Sequence, residues 1–223
     1  MASLVVFDLA GTTVQDDASG VSRAIADALE AAGHRPEYAA INACMGVKKI
    51  DAIRELVPGA SESEVEKIHE DYRTRMIHHY RTAEVASYPG VTEMFQELRS
   101  QGVKIGLNTG FDAETVRVIL DRLGWEHSVD AWTASDLVTA GRPQPFMIRN
   151  LMEQCGVSEL SHVAKAGDTP IDVEEGMNTG VGLNIAVTYG THSRGQLETL
   201  GADALVDSVS ELRQLLLDWA SKL

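Results

Sequence analysis

The chain of 223 residues is 44% hydrophobic and 23% charged, an ordinary globular balance for one large domain or two small ones. Nineteen Lys+Arg against 33 Asp+Glu give a formal charge of −14, which argues against a nucleic-acid or anionic-membrane partner. Two cysteines, Cys44 and Cys155, are too few for a disulfide framework or a CxxC metal site and read as buried thiols. With no apolar run of about 18 residues and no basic-flanked leader in view, a soluble cytoplasmic protein is expected.

The run Leu4 to Phe7 is too short and too β-branched for a helix, so it reads as a buried strand ending in Asp8. Gly11, Thr12 and Thr13 follow as a turn, and Val14 to Ser19, with Asp16 and Asp17, reads as a polar linker. Val21, Ala24, Ile25, Ala28, Leu29 and Ala32 then recur at helical spacing, with Gly33 as the stop. A short helix is predicted from Pro36 toward Cys44 and another from Val47 to Val57, interrupted by Met45-Gly46. Ser61 to Glu64 has capping-box character and opens a long charged helix reaching about Tyr80. Residues 15–85 thus carry helix patterns and no strand pattern, as expected of an inserted helical domain.

Beyond Tyr88-Pro89-Gly90 strands and helices alternate. Strands are predicted at Val103 to Leu107, Ala131 to Ala134, His162 to Ala166, Gly182 to Val187 and Ala204 to Val206. Between them lie helices over Val91 to Leu98, from the cap Asp112 to Leu123, from Pro145 to Cys155 and from Pro170, with a last one from Ser208. That alternation predicts an α/β fold with a doubly wound parallel sheet, residues 1–14 and 86–223 forming the core and 15–85 the insertion.

Such a sheet gathers the loops at the carboxyl ends of its strands. Here those loops bring Asp8, Thr109, Arg142, Asp168 and Asp172. Each has a plain alternative: a turn acid for Asp8, a turn residue for Thr109, a solvated arginine for Arg142, and cap and first-turn acids for Asp168 and Asp172. Together they suit phosphoryl chemistry. Carboxylates without nitrogen or sulfur partners prefer a hard cation such as Mg²⁺, and a neutralised carboxylate can attack an anionic phosphoryl group. Thr109, Arg142 and backbone amides around Gly11 would hold the remaining oxygens.

The motifs Asp8-Leu9-Ala10-Gly11-Thr12, Thr109-Gly110, Arg142 and Gly167-Asp168-Thr169-Pro170-Ile171-Asp172 resemble those of the haloacid dehalogenase superfamily. The resemblance spans nearly the whole chain and implies a Rossmann-like core with a helical cap at residues 15–85. It implies Asp8 as nucleophile and Mg²⁺ ligand, with the Ala10 carbonyl and Asp168 completing the protein ligands and Asp172 acting through water. Phosphate binding would fall to Gly11, Thr12, Thr109, Gly110 and Arg142. Most phosphatases of the superfamily carry a second acid two residues after the nucleophile, but here that residue is Ala10, which cannot act as general acid. Ala-Gly-Thr-Thr is similar to the opening motif of the phosphonatase branch, where a cap lysine forms an imine with a carbonyl phosphonate.

The segment Met45-Gly46-Val47-Lys48-Lys49-Ile50-Asp51 resembles that branch's cap motif and puts Lys49 at the imine position, with Met45 beside the substrate. At 3.6 residues per helical turn Lys49 projects beside Ile53 and Leu56, whereas Lys48 projects with Asp51 and Glu55. A snorkelling Lys49 is the plain alternative. Against the branch, Ala52 stands for its histidine, Phe111 for its tyrosine and Ala18 for its cysteine. The expected function is Mg²⁺-dependent cleavage of the C–P bond of a small carbonyl phosphonate such as phosphonoacetaldehyde. The alternatives are a phosphomonoesterase acting without Lys49, or a non-catalytic phosphate-binding protein. Phosphonatases pair through their caps, which raises a homodimer, though the helix from Ser61 to Tyr80 is too charged for an obvious seam.

Overall fold

The computed structural model describes residues 2–15 and 19–223; Asp16, Asp17 and Ala18 lie outside the described residues. Strand β1 is Ser3–Asp8. Four helices follow before the next strand: α1 (Ser19–Ala31), α2 (Tyr38–Ala43), α3 (Lys49–Leu56) and α4 (Glu62–Thr82). The chain continues as α5 (Val91–Ser100), β2 (Val103–Thr109), α6 (Ala113–Leu123), β3 (Ala131–Ala134) and α7 (Phe146–Cys155). It closes with β4 (Val163–Gly167), α8 (Pro170–Thr179), β5 (Leu183–Val187), α9 (Arg194–Leu197), β6 (Ala204–Val206) and α10 (Val209–Ala220).

All pairings in the six-stranded sheet are parallel, in the order β3-β2-β1-β4-β5-β6. The fold is the expected doubly wound, Rossmann-like α/β sheet with an all-helical insertion. The winding reverses beside β1, between β2 and β4, so the carboxyl end of β1 lies at the topological switch point. Asp8 ends that strand, level with Asn108 on β2. The acid therefore falls where an open parallel sheet leaves its crevice.

The helices begin and end where the residue chemistry allows. Ser61 caps α4 by accepting from the Glu64 amide, and the Asp112 carboxylate caps α6 by accepting from the Glu114 and Thr115 amides. Each such cap stabilises its helix by about 1 kcal/mol. Gly124, Gly156 and Gly180 close α6, α7 and α8 in the left-handed region. Pro170 opens α8 behind Thr169, whose hydroxyl accepts from the Asp172 amide while the Asp172 carboxylate accepts from the Thr169 amide.

Two corrections concern detail. Cys155 is half-buried rather than buried. The four-residue helix α9 had no apolar stripe to announce it; its support is a capping box between Ser193 and Gln196.

The insertion packs on the core rather than standing apart. Val21, Ile25 and Leu29 of α1, Ile53 of α3 and Tyr72, Met76 and Tyr80 of α4 belong to the same buried cluster as Val5, Phe7 and Leu107 of the sheet. Tyr80 meets Phe111 edge-on, with ring centroids 5.8 Å apart. Both chain crossings into the insertion run side by side, the Gln15 amide donating to the Ala86 carbonyl and the Tyr88 amide to that of Thr13.

Candidate active site

Three carboxylates converge at the switch point. Asp8, Asp168 and Asp172 each offer an oxygen within 4.8 Å of the others, and all three are buried. Asp8 comes from the end of β1, Asp168 from the turn after β4 and Asp172 from the first turn of α8. Asp168 is held by the Thr12 hydroxyl at 2.9 Å and the Thr191 amide at 2.7 Å. Close backbone approach makes room for it: a Cβ on Gly11, at φ +89°, would lie 2.3 Å from its Oδ2.

Arg142 reaches the cluster from the loop before α7. Its Nη1 donates to Asp8 Oδ1 at 2.7 Å and also to Asp172 Oδ1. Its buried Nε has no hydrogen-bond partner, an orphaned donor that an anionic ligand oxygen would satisfy. Asp172 is the most heavily engaged acid. Oδ1 takes Arg142 and Lys165, the latter at 2.9 Å, while Oδ2 takes the Thr169 hydroxyl at 2.6 Å and the Thr169 amide at 3.2 Å.

The electrostatics sort the acids. Burial pushes the Asp8 carboxyl up to about 7, against the pull of Arg142 and with help from Asp172 and Asp168. Burial likewise raises Asp168, which has hydrogen bonds but no ion pair among the described residues. For Asp172 burial pushes upward too, yet Arg142 and Lys165 outweigh it and hold the carboxyl well below the usual range. Four carboxylates, counting Glu175, and three cations, Arg142, Lys165 and Lys49, are buried around the site among the described residues, and the ion pairs join Arg142 and Lys165 to Asp8, Asp172 and Glu175. The excess negative charge and the all-oxygen donor set fit a hard divalent cation.

A partly open cavity of about 30 Å³ lies over these groups. Asp8, Ala10, Thr109, Gly110, Phe111, Arg142, Thr169 and Thr191 line it from the core, and Val21, Met45, Gly46 and Lys49 from the insertion. Lys49, at the start of α3, is 5% exposed, whereas Lys48 is half-buried and outside the lining. Ala52 is fully buried one turn on, and Phe111 turns its ring to Tyr80. Gly11 and Thr12 are not in the lining; their amides are spent in the turn, on the carbonyls of Val14 and Leu9. Ala18 lies outside the described residues.

Sequence reasoning passed over Lys165, Asn108 and Glu175. Lys165 donates to Asn108 Oδ1 at 2.7 Å, and Asn108 donates to both Glu175 oxygens at 2.9 and 2.8 Å. The signal was available. A parallel strand covered on both faces should read apolar throughout, and Val163-Ala164-Lys165-Ala166 puts a lysine in its middle.

The sheet, its helical insertion and the acids at the switch point define a Rossmann-like α/β protein with a buried acidic site. The chain belongs to the haloacid dehalogenase-like hydrolase family, whose profile matches residues 5–186, and it is an enzyme of that family. It is 28% identical over 231 residues to a phosphonoacetaldehyde hydrolase of Bacteroides fragilis, covering 96% of this chain and 88% of the relative. Among solved structures it superposes on a phosphonoacetaldehyde hydrolase-like protein of Oleispira antarctica with a TM-score of 0.87 at 19% identity, covering 99% and 93% of the two chains. A predicted phosphatase of Clostridium acetobutylicum gives a TM-score of 0.81 at 23% identity, covering 97% and 98%. These structural likenesses speak for the fold. Among the described residues no helix is long and apolar enough to cross a membrane.

Proposed function

We propose that this hydrolase cleaves the C–P bond of a small carbonyl phosphonate such as phosphonoacetaldehyde, with Asp8 as nucleophile and Lys49 as the imine-forming amine. The observation that carries the reading is the shared cavity: Lys49, 5% exposed, lines it with Asp8, Thr109 and Arg142, while Ala10 supplies no acid. Residues 15–85 are the cap in this reading, residues 1–14 and 86–223 the core, and the compartment is the cytoplasm.

Lys49 Nζ would condense with the substrate carbonyl and expel water. Asp8 would then attack phosphorus, and the C–P electron pair would pass into the protonated imine to leave an enamine and an aspartyl-phosphate. Protonation of the enamine and hydrolysis would release the aldehyde and regenerate Lys49; water would release phosphate from Asp8. Thr109, Gly110 and Arg142 would bind the phosphoryl oxygens, Arg142 through its unpartnered Nε, and Met45 would pack against the substrate. Mg²⁺, held by Asp8, Asp168 and the Ala10 carbonyl with Asp172 acting through water, would neutralise charge between nucleophile and phosphoryl group. Gly11 and Thr12 would serve by holding Asp168.

A phosphomonoesterase is the second reading, favoured by the apolar Ala52 and Phe111 around Lys49, which offer no proton relay. Phosphate release from phosphonoacetaldehyde and from small phosphate esters, both with Mg²⁺, separates the two. Borohydride reduction with a carbonyl phosphonate should inactivate the enzyme and mark Lys49. Full activity in Lys49→Ala would sink the imine mechanism.

A further inference from the structure

Asp172 is bound by two cations, and they have different freedom. Arg142 lines the cavity and shares Nη1 between Asp172 and Asp8, whereas Lys165 is 0% exposed in mid-strand and bonds no cavity-lining group. Lys165 is fixed from three sides by Asp172 at 2.9 Å, Asn108 at 2.7 Å and Glu175 at 3.3 Å. Asn108 immediately precedes Thr109 and clasps both oxygens of Glu175, so the network ties the end of β2 to the first turns of α8.

We propose that Lys165 is a positioning residue: it is a permanent counter-charge that shares Asp172 with Arg142 and so weakens the hold of Asp172 on the guanidinium that would bind the phosphoryl group. This rests on the reading that Arg142 takes the phosphoryl oxygens. Without Lys165 the whole charge of Asp172 falls on Arg142, because the remaining Asp172 bonds, to the Thr169 amide and hydroxyl, carry no charge. The guanidinium, already bonded to Asp172 and Asp8, is then held there more tightly, and an incoming oxyanion must compete for it. Lys165 touches neither substrate nor nucleophile; it acts through Asp172 and Arg142.

A structural role must be separated from this, because Lys165 also neutralises buried Glu175. The double variant Lys165→Met/Glu175→Gln removes both charges together and restores a neutral, packed interior. Inorganic phosphate binding is measured by calorimetry with Mg²⁺ present, beside thermal unfolding, for wild type, Lys165→Met, Glu175→Gln, the double variant and Arg142→Ala. Loss of one charge-assisted contact is expected to weaken phosphate about tenfold in Lys165→Met and in the double variant, although the double variant regains stability. Glu175→Gln should bind as wild type. A double variant that binds phosphate like wild type, with Arg142→Ala weakened, would overturn the role of Lys165 and leave the site reading intact. Unchanged binding in both Lys165→Met and Arg142→Ala would overturn both.

Discussion

Arg142 donates to Asp8 at 2.7 Å with both side chains almost wholly withdrawn from water, 2% and 5% exposed. The nucleophile candidate thus rests against the cation proposed to receive its target. A buried pair of this kind contributes little net stability, but removing one partner strands the other charge. Arg142→Ala removes the guanidinium paired with Asp8 and should cost about 3–5 kcal/mol in metal-free protein. Added Mg²⁺ should recover more stability in the variant than in wild type, since it supplies the missing charge. Urea unfolding with EDTA and with Mg²⁺ measures both; an equal Mg²⁺ gain in the two proteins would contradict this account.

The pH response follows from Asp8. Its folded-state carboxyl titrates near 7, against an ordinary aspartate value of 3.8, so between those values the native state holds a proton that the unfolded chain has released. Stability of the metal-free protein should therefore fall as pH rises from about 4 to about 7. Asp168 and Glu175, also raised by burial, act in the same direction. Asp172 is shifted the other way, and its contribution is lost only in acid, as pH falls below its unfolded value. Under the proposed ligation the cation displaces the Asp8 proton, so Mg²⁺ affinity should climb with pH and level off above about 7. Calorimetric titration from pH 5 to 8 checks this, and a flat profile would count against metal ligation by Asp8.

The strands, the capped helices and the acids at the sheet edge were legible because each is local chemistry: a β-branched run, an Asp before a helix, a Gly behind one. Lys49 was separable from Lys48 by helical projection alone, and the structure puts Lys49 in the cavity lining and Lys48 outside it. What the sequence concealed is what depends on distance across the fold. Asn108 falls just past the strand predicted to end at Leu107, yet it lies within β2 and bonds residues 57 and 67 positions away. The amides of Gly11 and Thr12 looked available for phosphate, and only the turn geometry spends them on Val14 and Leu9.

Gly110 marks a close approach of the loop after β2 to the insertion. A Cβ there would stand 2.7 Å from the Val47 carbonyl oxygen and 3.1 Å from that of Gly46. Since those atoms are backbone, Gly110→Ala can be accommodated only by moving the segment before α3, and Lys49 with it. The expected result is a KM raised about tenfold, near 1.4 kcal/mol, together with a lowered unfolding midpoint, because backbone must shift. Steady-state kinetics and thermal unfolding together test this. A variant that loses stability with KM unchanged would show that the contact serves packing alone.

Ala10 offers the sharpest division between the two proposed chemistries. It lines the cavity two residues beyond Asp8, and its side chain carries no proton. An aspartate introduced there would share the cavity lining with Asp8, whose like charge would raise its pKa and favour the protonated form. That is the state a general acid needs to protonate a departing alkoxide, a contribution of about a hundredfold or more. Ala10→Asp should therefore speed hydrolysis of small phosphate esters about a hundredfold. C–P cleavage should gain nothing, because its leaving electrons pass into an imine and no alkoxide forms. If ester hydrolysis is unchanged in the folded variant, the position is not within reach of the leaving group and the phosphomonoesterase reading loses its catalytic geometry. If phosphonate cleavage rises in parallel with ester hydrolysis, the imine on Lys49 is not what accepts the electron pair.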